Sequence, residues 1–348
     1  MRKLYKKKDN SPVRKKEIDI AKGIGIIAVV YGHTFTSLGL YIYIFHLPLF
    51  FVISGFLYAS KDKEPLMPYV KNKIHSLLIP YFIFLALTNA LLFGLYAVTG
   101  QEFYLYPSML YHPYGASTAL WFLPALLWVT VIYKLIDIYV PYKLKALTVI
   151  LMFVIGRILS HHDITIPTFI DTALTSTIFY LAGIIMCRYK SFFNLEIVLY
   201  MLIISLLPCV MINAPVKIDL MKNEYEPFYF MFLSVLISFL IIRISYKKSV
   251  AKSRIGTCLA YLGKISLIIL AFHLFTFELF YLIVPKETIL GMTWILREVT
   301  TMGITIFSIA LIVGMNKLLR LDLLIDWISG SHRLTQTINR MKLAHKKI

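Results

Sequence analysis

The residue types best suited to moving a proton are three histidines set in long apolar stretches, His33, His46 and His273. Near pH 7 a neutral imidazole can accept a hydroxyl proton and return it, which is what acyl transfer to an alcohol asks of a general base. His33 closes the segment DIAKGIGIIAVVYGHT, which also carries Asp19 and Lys22. On a helix Lys22 and His33 fall only about 20° apart, and His33 lies about 16 Å further along the axis. Asp19 shares the face and stands three residues before Lys22, within reach of an ion pair. An imidazole at that depth is too short to reach water. The same rise, counted from the ends of their own stretches, places His46 and His273 roughly two-thirds of the way to the same outer surface. A lone membrane histidine is often satisfied by a passing carbonyl, whereas three at one level mark a site.

Further candidates are more peripheral. Arg157, followed by His161 and His162, lies near one end of its stretch, where snorkelling to the interface accounts for it equally well. Glu278 follows His273 but sits about 140° around the helix from it, so the two do not share one narrow face. The connection QEFYLYPSMLYHPYGASTALWFLPALL holds Tyr111 among many tyrosines and runs into Trp121. Such rings form an interfacial belt or a platform for a sugar. Gly23, Gly25 and Gly32 thin the first helix, permitting close approach by a neighbouring helix or by a ligand.

The elements that carry these residues follow from composition. Of 348 residues 59% are hydrophobic and only 16% charged, with mean hydropathy +0.74. Lipid, not water, must be the main solvent for such a chain. Windows of about 20 residues give ten spans, near 19–39, 41–60, 76–98, 119–140, 146–160, 171–187, 195–212, 228–245, 259–283 and 298–316. The runs are continuous instead of alternating, which excludes a barrel and leaves an all-α, polytopic integral membrane protein.

Net charge +18 would suggest nucleic acid in a soluble protein. Here about 30 of the 36 Lys and Arg residues fall on one side when connections are assigned alternately, so the charge marks cytosolic loops and both termini inside. A basic surface facing anionic lipid follows, and no nucleic acid. The connections at 101–118 and 161–170 carry neither Lys nor Arg. Cys187, Cys209 and Cys258 offer no disulfide framework and no metal spacing. The division is a basic tail at 1–18, a membrane domain at 19–316 and a second basic tail at 317–348.

Five segments together carry a likeness that periodicity cannot. DIAKGIGIIAVVYGHT, FHLPLFFVISGFLY, KNKIHSLLIPY, LWFLPALL and YLGKISLIILAFH, spread from the first expected helix to the ninth, resemble the acyltransferase 3 family of membrane O-acyltransferases. The nearest look is to its fucose O-acetylase and exopolysaccharide acetylase branch. The resemblance implies transfer of an acetyl group from acetyl-CoA to a hydroxyl of a bacterial cell-surface carbohydrate, at the plasma membrane. It assigns His33 as the base with His46 assisting, and Asp19 and Lys22 as organisers of the cytosolic entrance. Lys22 stands where many members have Arg, as do Lys71, Lys73 and His75, so positive charge is kept without the bidentate fork. The expected donor contacts are Lys22, Lys71, Lys73 and His273, and the expected acceptor contacts are Trp121, Tyr111, Arg157 and Glu278. No metal is expected. The implied partners are the acyl-CoA donor, the carbohydrate acceptor and the bilayer, with homo-oligomers or polysaccharide-synthesis proteins compatible with the surface. A flippase for a lipid-linked glycan is the competing reading, since polar groups in spans also line transport pathways.

Overall fold

In hydrocarbon each segment must satisfy its own backbone N–H and C=O groups, and the apolar stretches accordingly fold as helices. The computed structural model describes residues 15–60, 64–104, 107–113, 115–189 and 218–328. Its main helices are α1 (Lys16–Gly32), α2 (Pro48–Ala59), α3 (Ile79–Thr99), α4 (Phe122–Tyr139) and α5 (Lys145–His161). They continue as α6 (Ile170–Arg188), α7 (Pro227–Ser245), α8 (Arg254–Lys264), α9 (Ser266–Tyr281) and α10 (Trp294–Leu319). Among the described residues there is no strand, only an isolated bridge between Asp219 and Glu224.

Six segments among the described residues are long and apolar enough to cross a bilayer: Gly39–Ala59, Leu66–Thr99, Gly115–Tyr139, Tyr142–His161, Pro167–Arg188 and Trp294–Leu319. The bent pair α8 and α9 makes a seventh if counted as one span. Helix α1 has 17 residues and so extends about 25 Å, and Tyr229–Ser245 is a shorter apolar helix. The expected span at 195–212 lies outside the described residues. Against ten spans expected from hydropathy, six or seven therefore meet the length and composition of a crossing helix.

Exposure confirms lipid as the solvent. On α5 the buried residues are Val149, Phe153 and Gly156, while Leu147, Ile150, Leu151, Val154, Ile155 and Ile158 face outward. Helix α10 is inverted relative to a helix in water: Thr301, Thr305, Ser308 and Asn316 point inward and Val299, Met302 and Ile306 point out. An apolar exterior this extensive is unstable in water and favourable in a bilayer.

Two close crossings hold the centre together. A Cβ at Gly55 would overlap the Tyr180 carbonyl and one at Gly183 would overlap that of Val52, so α2 and α6 touch backbone to backbone. Likewise Gly23 lies on the Leu259 carbonyl and Gly263 on that of Asp19, which clamps α8 across the start of α1. Packing between small residues is how helices associate where no hydrophobic force separates helix from lipid. These contacts assign the glycines of the first helix to a neighbouring helix: Gly25 faces Leu49 and Phe50, and Gly32 faces Ile42.

The expected ninth span, 259–283, is not one rod. Helices α8 and α9 meet at 80°, with Ile265 at φ −100° and ψ 15° between them. Ser253 caps the start of α8 by accepting the Gly256 N–H at 2.8 Å, and Gly263 pins its end to α1 before the chain turns. The first expected span is also shorter than 19–39, because α1 ends at Gly32. The chain there turns through Thr34, whose hydroxyl bonds back to the Tyr31 carbonyl at 2.7 Å. A short helix, Gly39–Tyr43, then leads to Pro48, which opens α2 in the first turn, where a missing N–H costs nothing.

Candidate active site

The end of α1, the turn before α2 and the middle of α9 bring the three histidines together. The His33 ring lies 5.9 Å from that of His46 and 5.2 Å from that of His273, both edge to face. His46 and His273 are buried, whereas His33 is half-buried. Each ring is held by its own helix in the same way. The Nδ1 of His33 is 2.8 Å from the Val29 carbonyl, that of His46 is 3.0 Å from Ile42, and that of His273 is 2.9 Å from Leu270.

That pattern has a chemical consequence. A carbonyl oxygen only accepts, so each neutral ring carries its proton on Nδ1 and leaves the Nε2 lone pair for other work. The Nε2 atoms of His46 and His273 are buried and make no hydrogen bond among the described residues. Unmatched buried polar atoms are costly, so two beside one another make this cluster the first place to look for bound chemistry. Among the described residues no group of three or more His, Cys, Asp or Glu side chains is arranged to hold a metal ion.

A cavity of about 310 Å³ opens in front of His33 and His46. Tyr43 and Leu47 complete the wall that holds the two histidines, Thr118 and Trp121 form a second, and 218–221 a third. Tyr43 packs against both rings, 6.0 Å from His33 and 5.0 Å from His46. Of the four residues expected to contact the acceptor, Trp121 lines this cavity. Tyr111 is exposed in the connection before it, and Glu278 pairs with Lys286 at 3.2 Å.

Arg157 works from behind the third wall. It donates to the Asn223 carbonyl and lies 4.7 Å from the centre of the Tyr225 ring. Thr175 donates to Asn223 Oδ1 at 2.6 Å, Thr172 to the Met221 carbonyl at 2.8 Å and Ser160 to that of Lys222 at 3.1 Å. Helices α5 and α6 thereby hold the turn 219–224, whose ends exchange N–H···O bonds of 2.8 and 2.9 Å. Asn223 takes the left-handed conformation the turn needs, at φ 55°.

Of the expected donor contacts, His273 is itself one of the clustered imidazoles, whereas the lysines lie apart from them. Asp19 is buried and Lys22 half-buried near the start of α1, about 21 Å and about 16 Å from His33 along the helix. Lys71 is exposed, and the Lys73 ammonium sits 5.4 Å from the centre of the Tyr69 ring. Buried Lys134 lies over the same ring at 5.3 Å and over Tyr58 at 5.7 Å. The Tyr58 hydroxyl in turn donates to Asp137 at 2.7 Å, and Asp137 pairs with Lys145.

Sequence reasoning missed Glu298. From the first turns of α10 it accepts hydrogen bonds from the Tyr31 hydroxyl at 2.6 Å, the Thr36 hydroxyl at 2.7 Å and the Ser37 N–H at 2.6 Å. Its neighbour Arg297 donates to the Ser37 hydroxyl. The carboxylate thus grips the chain on both sides of His33. Its one signal in the sequence is a carboxylate at the head of an apolar stretch, which reads as an ordinary helix boundary.

The fold and this centre define a multi-pass helical membrane protein with buried proton-accepting groups beside a cavity. Residues 15–315 match the family model described as an acyltransferase domain, and the chain belongs to the acyltransferase 3 family. That family supports a membrane acyltransferase. No curated protein and no solved structure matches the chain.

Proposed function

We propose that the protein moves an acetyl group from acetyl-CoA to a hydroxyl of a cell-surface carbohydrate, as an O-acetyltransferase of the bacterial plasma membrane. The observation that carries the reading is the cluster of three imidazoles, each with Nδ1 on a backbone carbonyl, beside a cavity walled by Tyr43, Trp121 and Asp219. Aromatic faces and hydrogen-bonding side chains together suit a sugar ring.

In the reaction His33 Nε2 takes the proton of the acceptor hydroxyl as its oxygen attacks the thioester carbonyl. The new C–O bond forms and the C–S bond breaks. The proton returns from the imidazolium to the departing thiolate, which leaves as coenzyme A. The unpartnered Nε2 atoms of His46 and His273 are further acceptors for hydroxyl or thiol protons at the same level. The basic residues at the chain ends and in alternate connections support ten spans with both termini cytosolic, where the phosphates of acyl-CoA are found. Lys22, Lys71 and Lys73 belong to that side.

Radiolabelled acetyl-CoA incubated with the purified protein and extracted envelope glycans is the test. Label should appear as base-labile ester on carbohydrate. Glycan that stays unlabelled while the wild-type protein is folded and the donor intact would overturn the reading.

A further inference from the structure

The cavity before His33 has a charge pattern of its own. Among the described residues that line it there is no Lys or Arg, and the one formal charge is the carboxylate of Asp219. Lys222 is exposed at the tip of the turn, and Arg157 is occupied on the far side of it with Asn223 and Tyr225. Asp219 is held in place by that turn: its Oδ1 accepts the Lys222 N–H at 3.2 Å, and its backbone is bridged to Glu224. Its second carboxylate oxygen makes no hydrogen bond among the described residues. Across the cavity stand His33 and His46 and the rings of Tyr43 and Trp121.

A carboxylate only accepts hydrogen bonds, and neutral imidazole nitrogens with Nδ1 protonated also only accept at Nε2. With the hydroxyls of Tyr43 and Thr118 and the indole N–H of Trp121 on the same walls, the cavity offers neutral donors, acceptors and aromatic faces to whatever enters, which suits a ring that presents several hydroxyl groups. It suits an anion badly, because a second carboxylate or a phosphate would face Asp219 with no Lys or Arg among the described lining residues to balance it. Resting on the reading above, we propose that the acceptor unit is an uncharged, polyhydroxylated sugar, and that Asp219 selects it. The carboxylate takes a hydrogen bond from a hydroxyl next to the one acylated, which turns the reactive oxygen toward His33. Uronates, sialic acids and sugar phosphates are excluded by the same charge.

The test compares O-acetylated monosaccharides, by mass spectrometry of envelope glycans, in cells that make the protein and in cells from which its gene has been deleted. O-acetyl should disappear from a neutral sugar and return on complementation with wild type. Complementation with Asp219→Asn should restore roughly a tenth of it, and Asp219→Lys essentially none, with membrane levels of each variant checked by an epitope tag. In vitro, the uronate counterpart of the neutral acceptor should react at roughly one-hundredth of its rate or less. Loss of O-acetyl from a uronate, sialic acid or sugar phosphate would overturn the selectivity while leaving carbohydrate acylation intact. Full acetylation by Asp219→Lys at normal membrane level would overturn the role of Asp219. Unchanged O-acetylation of every sugar on deletion would instead defeat the carbohydrate reading on which the proposal rests.

Discussion

Replacing Glu298 by alanine removes the one carboxylate that ties α10 to the chain on both sides of His33. Three donors lose their acceptor at once: two hydroxyls, at 2.6 and 2.7 Å, and the Ser37 N–H, at 2.6 Å. Each bond to a charged acceptor contributes about 1.5–3 kcal/mol, and the three are not additive because they share one group. Water can reach the carboxylate and its partners, so we expect a local loss of about 1–3 kcal/mol, enough to loosen residues 34–37 without unfolding the bundle. His33 is the residue at which α1 ends, so this freedom reaches the ring directly. A misplacement of about 1 Å at a reacting group costs on the order of 10²-fold, and we expect kcat for acetyl transfer to fall by that factor. The Michaelis constant for acetyl-CoA should change little, since the lysines expected to meet it lie elsewhere. Glu298→Gln keeps the volume, and the Tyr31 and Thr36 hydroxyls can rotate to accept from its amide, so it should recover roughly tenfold of the loss. Steady-state transfer of labelled acetyl with purified variants, alongside thermal melting in detergent, separates the outcomes. A Glu298→Ala protein with wild-type kcat, or one whose loss Gln does not relieve, would refute the argument that this carboxylate positions the base.

Other expectations follow from the same geometry. His33→Gln retains hydrogen bonding and similar volume but not a titratable base, so acetyl transfer should fall about 10²- to 10⁴-fold with membrane yield unchanged. A near wild-type rate would move the role to His46 or His273. Charge reversal at Lys71 and Lys73 should raise the Michaelis constant for acyl-CoA and weaken its salt dependence, because long-range attraction to phosphates is screened by ions. Equal constants and equal salt response in the variant would remove both lysines from the donor route. In a background without the three native cysteines, Tyr111→Cys, at an exposed position, should react with an impermeant thiol reagent from outside intact cells. Ser11→Cys should react only after the cells are opened, and the reverse pattern would invert the topology.

Much was determined by the sequence alone. Lipid as solvent follows from composition and helix follows from lipid, because each is a property of local stretches of chain. The five motif segments carried the family, which the match over residues 15–315 shows. The common level of His33, His46 and His273 was also legible, since rise per residue converts position into depth.

Depth says nothing of azimuth, and only packing decided that the rings of His46 and His273 would each lie 5–6 Å from that of His33. The break between α8 and α9 was hidden for a related reason. The end of α8 is pinned there by the contact of Gly263 with the Asp19 carbonyl, 244 positions earlier in the chain, which no window of neighbours contains. Glu298 and Asp219 show the same limit. Neither stands out in the sequence, and the part each takes comes from partners on other helices or on a turn held by them, while Arg157, legible as a candidate, is found bracing that turn from behind. Hydropathy and periodicity are sums over adjacent residues, whereas a site is assembled from side chains that only the tertiary fold brings within hydrogen-bond reach.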